Sequence, residues 1–164
     1  MYPVTHAAIA VGAVKEGETL FPPRWLPLDY RFAAFGALLP DLIDKPLGWF
    51  LFPSLPDDHL WGHTAWLPLL LIGLGLIMAY RVSDPRLLLL GLGATTHLLV
   101  DPVNAHPRTL FWPLLGDTFP DVRGYLFVFP ITLEIVLICT LLWTRRSAGV
   151  VRRRLAAFLE TGTV

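Results

Sequence analysis

The sequence predicts an all-α integral membrane protein, a bundle of about five short helices. Three observations lead there. The chain of 164 residues is 54% hydrophobic and only 16% charged, where ordinary soluble domains carry roughly 25% charge. Its mean hydropathy is +0.57. The apolar residues also fall in long uncharged runs rather than in the alternation of half-buried strands. Thirteen basic and thirteen acidic residues cancel, so no global basic field exists to collect nucleic acid, and no nucleic-acid partner is expected. The single cysteine, Cys139, lies in an apolar run and excludes an internal disulfide or a thiolate metal site. The first residues lack the positive flank of a cleaved signal peptide, so the first segment is expected to be retained.

The clearest spans are residues 65–80, 87–100 and 126–143, the last interrupted only by Glu134. A helix needs about 20 apolar residues to cross a hydrocarbon layer of about 30 Å; the middle run is short for that and would need a thinned bilayer or close neighbours. Residues 3–14 and 32–40 are weaker candidates, the second bracketed by Arg31 and Asp41. Proline-rich connections separate them. Residues 1–144 thus form the membrane-embedded unit and 145–164 a basic, amphipathic cytoplasmic tail. In that tail, Leu155, Phe158 and Leu159 would face the membrane and the arginines its anionic headgroups.

Positive charge sets the orientation. With the 81–86 turn and the tail in the cytoplasm, alternation puts Lys15, Arg24, Arg31, Arg81, Arg86 and five tail arginines inside. Only Lys45, Arg108 and Arg123 remain outside. The N-terminus is then out and the C-terminus in. Trp49, Trp61, Trp66 and Trp112 gather at the outer interface, Trp25 and Trp143 at the inner, as aromatic belts do.

The same topology collects the histidines and aspartates. His97 and Asp101 are four apart, as are His59 and His63, and Asp41 and Asp44 are three apart; such spacings share a helix face. With His6 near the start of the first segment, all seven fall at the outer ends of their helices. Imidazole nitrogen with carboxylate oxygen and no sulfur is the donor set of zinc, manganese or iron hydrolytic sites. Ionisable groups at membrane depth are costly unless paired or coordinated. His6, Asp41, His59, His63, His97 and Asp101 are therefore the expected ligands of one or two divalent ions, zinc foremost. Asp44 is expected as a further ligand or as the catalytic base orienting a water on the metal. Lys45 and Arg108 are candidates for holding a substrate phosphate. His106 is a further candidate ligand, and Glu134 either joins the site or bonds to Thr95, Thr96 or Thr132. Asp57 and Asp58 read as solvated loop acids. A site at this depth suits a lipid phosphoester or another amphiphile, and membrane lipids are the expected surroundings.

At these residues the chain resembles the YdjM-like inner-membrane family of metal-dependent hydrolases. The matching pieces are Thr5 with His6, the Leu-Leu-Pro-Asp-x-x-Asp stretch at 38–44, the 59–64 segment, the Thr-His-x-x-x-Asp-x-x-Asn pattern at 96–104, and Trp112 with Pro113. Together they cover roughly residues 1–125. The resemblance implies an inner-membrane location and a metal-dependent hydrolase activity. That family is in turn distantly similar to the helical zinc-dependent phospholipase C and single-strand nuclease group, which implies phosphoester chemistry and a cluster of zinc ions. The chain departs from both patterns. Leu60 and Trp61 stand where the family has an Arg-containing His-Arg-Gly, and no histidine follows His106 to supply the late His-x-x-x-Glu pair. One or two ions are expected rather than three.

Two non-enzymatic readings compete. A cation transporter would need polar residues through the whole bilayer, and the spans turn apolar below the site. A regulatory membrane protein recruiting a partner through the arginine tail would lose its function with residues 145–164.

Overall fold

A computed structural model describes residues 3–20, 27–52, 59–101, 107–119 and 148–163. The described residues are all helical, with no strand among them. Helix α1 is Pro3–Leu20, α2 Tyr30–Gly36, α3 Leu39–Pro46, α4 Trp66–Val82, α5 Arg86–Val100, α6 Pro107–Leu110 and α7 Ala148–Thr161.

Two of the expected segments are drawn differently. The first does not stop at residue 14. It continues through the polar stretch 15–20, and there Glu18 accepts a hydrogen bond from the Tyr30 hydroxyl. Burial and that bond push the Tyr30 phenol up to about 12. The second, residues 32–40, is not one helix: α2 ends at Gly36, Ala37 and Leu38 turn, and α3 begins at Leu39. Pro40 explains the break, since a proline lacks the N–H that a continuing helix would use and fits only a first turn. The expected span at 126–143 lies outside the described residues, as do Asp57, Asp58, Trp25, Trp143 and Arg123.

Helices α4 and α5 form an antiparallel hairpin. Ser83, in the left-handed conformation at φ 56°, ends α4, and the Asp84 carboxylate accepts from the Arg86 N–H at 3.0 Å to start α5. Helix α5 is the hub, packed on α1, α2 and α4. It reaches its neighbours through glycine. A Cβ on Gly91 would lie 2.8 Å from the Ile72 nitrogen of α4, and one on Gly93 would run into the Ala33 carbonyl of α2. Val14, Tyr30, Ala33 and Leu89 are buried together where α1, α2 and α5 meet, with Phe158 of α7 packed against them.

The described part of the tail is therefore not a detached arm. Its end is fastened to the start of α2. Tyr30 N–H donates to the Gly162 carbonyl at 2.8 Å. The Arg31 guanidinium donates to the Leu159 and Glu160 carbonyls at 3.0 and 3.1 Å, groups that a helix end otherwise leaves unmet. Asp29 holds that guanidinium at 2.6 Å, which keeps the Asp29 carboxyl below the usual range. Leu155 and Leu159 remain exposed and Phe158 does not.

Helix α4 is apolar on every side, and Leu69, Leu70, Leu76, Ile77 and Val82 are all more than half exposed. Even so, among the described residues no helix is both long and apolar enough to cross a membrane. The 17 residues of α4 and the 15 of α5 fall short at a rise of about 1.5 Å per residue.

Candidate metal centre

The start of α1, the α2–α3 break, the 59–63 turn and the end of α5 meet at one end of the bundle. Asp41 and Asp44 come from α3, whose first turn is fixed by Pro40. His59 and His63 flank a tight turn, Trp61–His63, that precedes α4. His97 lies in the last turn of α5, and Asp101 is the residue that leaves that helix in an extended conformation.

Asp44 makes the turn. It is fully buried, and its Oδ2 accepts from the backbone N–H of Leu60 at 2.7 Å and of His63 at 3.0 Å, while Oδ1 accepts from Gly62 at 2.7 Å. A Cβ on Gly62 would sit 2.7 Å from the Pro40 carbonyl and 2.9 Å from Asp44 Oδ1, so only glycine fits. The same Oδ2 also lies 2.7 Å from His63 Nδ1. The Asp44 carboxylate is thereby consumed, and the place expected for it, on a metal or its water, is taken instead by Asp41 and Asp101.

His97 Nδ1 lies 2.6 Å from the Ala37 carbonyl. A carbonyl only accepts, so Nδ1 carries the proton and Nε2 presents its lone pair. His63 is set the same way by Asp44. The two Nε2 atoms then face each other at 3.3 Å, with Asp101 Oδ2 lying 3.3 Å from His97 Nε2 and 3.4 Å from His63 Nε2. Asp41 Oδ1 stands 3.6 Å from His63 Nε2, and His59 Nε2 3.7 Å from Asp101 Oδ2. These are acceptors gathered without a donor. Asp41 Oδ1 and Asp101 Oδ2 are buried and have no hydrogen-bond partner. The spacing is too long for charge-assisted hydrogen bonds. It matches a cation site, because ligand bonds of about 2.0–2.1 Å in a tetrahedron put donor atoms about 3.3–3.4 Å apart. Two groups of three satisfy such a site, Asp41–His63–His97 and His59–His63–Asp101.

The electrostatics agree. Burial alone would raise the Asp101 carboxyl, but His59, His63 and His97 hold it far below the usual carboxylate range. Burial opposes charge on His63, yet Asp101 and Asp44 outweigh it and hold the ring above the ordinary histidine value. The pocket calls for positive charge.

Five of the expected ligands thus converge: Asp41, His59, His63, His97 and Asp101. His6 joins differently. Its ring is buried and stacks on His97 with centroids 4.4 Å apart, and its Nδ1 has no partner. Lys45 does not face outward for a phosphate; its ammonium sits 2.9 Å from Asp41 Oδ2. Arg108 is exposed on α6. His106 and Glu134 lie outside the described residues. The Ala37 carbonyl and Gly62 were not singled out by the sequence. The proline at 40 was the available signal for the first, and a glycine between two histidines for the second.

An aromatic corner adjoins the turn. The Trp61 ring meets Trp112 and Phe119 edge-on, Trp112 stacks on Phe119, and the Trp66 indole donates to the Trp112 carbonyl at 2.6 Å. After α3, a π-helical turn at Leu47–Leu51 exposes Trp49 (63%) and Phe50 (79%).

No curated protein and no solved structure matches this chain. Residues 1–162 match the family described as the YdjM inner membrane protein, and the chain belongs to that family.

Proposed function

We propose that the chain is a membrane-bound, metal-dependent hydrolase acting on a phosphoester of a lipid or another amphiphile. The convergence of His63 Nε2, His97 Nε2 and Asp101 Oδ2, acceptors 3.3–3.4 Å apart with no donor among them, carries the reading. Asp41, His59, His63, His97 and Asp101 would hold a divalent ion, zinc by its donor chemistry and spacing. Such an ion supplies a Lewis acid and lowers the pKa of a coordinated water toward ~7.

The chain's own residues do the rest. Asp44 and the Ala37 carbonyl fix the two imidazole tautomers, in the manner of outer-shell partners at metal sites. Lys45 neutralises the outer oxygen of Asp41. His63, His97 and Asp101 are closed off at 0–2% exposure, while Asp41 and His59 are 14% and 19% exposed. A substrate therefore enters past those two. Trp49, Phe50 and Leu51 offer an apolar rim for its tail, and Arg108 is the exposed cation available to a phosphate.

The apolar outer face of α4 supports an integral membrane setting, as does the family. The arginine distribution favours an outside N-terminus, a cytoplasmic C-terminus and a centre at the outer interface. The deciding experiment incubates purified protein with phospholipid and with soluble phosphodiesters. Release of a phosphorylated headgroup or a phosphate that chelation stops, zinc restores and Asp101→Ala abolishes is the expected result. No turnover of either class by zinc-loaded protein would leave a metal-binding membrane protein without hydrolase activity.

A further inference from the structure

The number of ions follows from how the donors are shared. The two ligand groups both contain His63, so a centre with one ion in each would need His63 to bind twice. An imidazole can do that only through both nitrogens. Here Nδ1 is committed to Asp44 at 2.7 Å, and Asp44 is itself locked by the backbone N–H groups of Leu60, Gly62 and His63. One lone pair is left.

Bridging by carboxylates is the other common route to two ions a few ångströms apart. Asp44 is unavailable because its oxygens are filled. Asp41 has one oxygen facing the centre, and the other is held by the Lys45 ammonium at 2.9 Å. A second divalent ion at that outer oxygen would have to expel a cation already seated on it, in a place where only 14% of the Asp41 side chain meets solvent to screen the repulsion.

We infer that the centre takes a single divalent ion, to which both overlapping groups contribute, with His63 donating Nε2 alone. The inference rests on the metal-centre reading above and narrows it. His59 and Asp41 then serve the same ion as alternative or additional donors rather than marking two separate ions.

The test counts zinc. Full-length protein in detergent is stripped by chelation, reloaded with zinc, freed of loose metal and measured by plasma mass spectrometry against protein from amino-acid analysis. One zinc per chain is expected for wild type. His59→Ala and Asp41→Ala should each still reach one zinc at saturation, with affinity at least tenfold weaker. Two zinc ions in wild type, with each variant retaining one, would overturn the inference while leaving the metal-centre reading standing. No zinc in wild type would overturn both. The wild-type count decides the matter even where a variant fails to fold.

Discussion

Asp44→Ala is the sharpest perturbation available, because the structure separates what this side chain does from what its neighbour Asp41 does. Removing the Asp44 carboxylate orphans four donors at once: the N–H groups of Leu60, Gly62 and His63, and His63 Nδ1. A buried donor left unsatisfied costs about 1–3 kcal/mol. Water entering the space of the lost side chain would satisfy some of them, so a net loss of about 3–5 kcal/mol is expected, within the large tail of single substitutions. His63 would also lose the partner that fixes its tautomer, which weakens metal affinity about 10–100-fold at comparable sites. Asp41→Ala should behave in the opposite way. Its inward oxygen has no hydrogen-bond partner and its pair with Lys45 is partly exposed, a contact worth at most about 1 kcal/mol. The metal-free variant should therefore unfold near wild type while its zinc affinity falls. Denaturant unfolding of the stripped proteins in detergent, followed by circular dichroism, gives one quantity, and zinc titration gives the other. An Asp44→Ala protein within about 1 kcal/mol of wild type, with zinc affinity changed less than twofold, would refute the account of the turn.

Three further outcomes follow from the same coordinates. Zinc must displace the proton that the raised His63 holds, so binding should release protons and weaken as pH falls through that raised range, read by calorimetry in buffers of different ionisation heat. In the metal-free protein, the stabilisation from His63 is fully present below the ordinary histidine value of about 6.5 and fades as pH rises through the raised one, while that from depressed Asp101 holds above about 3.9 and is lost only in stronger acid. Thermal midpoints should accordingly peak between about pH 4 and 6.5. Gly93→Ala drives a methyl into the Ala33 carbonyl and should cost about 1–3 kcal/mol or more, whereas Gly73→Ala, with nothing within 4 Å, should be neutral or slightly stabilising. Gly162→Ala combines a φ of +74° with a Cβ placed on the Asp29 carboxylate, and should free the end of α7 to proteolysis while leaving zinc content unchanged.

The ligands were legible in the sequence because they are governed by position along helices, which periodicity and the arginine count both report. His97 and Asp101 illustrate this: a four-residue spacing predicted one helix face, and although Asp101 has already left the helix, its N–H still caps the His97 carbonyl at 2.9 Å and its oxygen still meets the ring. His59 and His63 were read with the same helical spacing, yet they flank a tight turn, and it is Asp44 from 15–19 residues away that brings them round. Spacing names candidates for a face; it cannot name the partner across a turn. The misreading of Asp44 has the same origin, since a carboxylate that binds metal and one that binds three backbone N–H groups look alike until the chain around it is folded.

The fold was legible to the extent that it depends on hydrophobic runs, and not where it depends on contacts between distant residues. The fastening of α7 joins Arg31 to carbonyls 128 and 129 residues on, and nothing in a basic tail announces it. Pro40 did carry its message, and reading residues 32–40 as a single segment overlooked it. That break is also what makes the site: a continuous helix there would use the Ala37 carbonyl internally, leaving His97 Nδ1 without its acceptor and its Nε2 free to take the proton. His63 and His97 would then no longer point two lone pairs at one carboxylate. The arrangement that asks for a cation is therefore a product of two local irregularities, the proline break before α3 and the Asp44-bound turn before α4, each set against a hub helix held close by glycine.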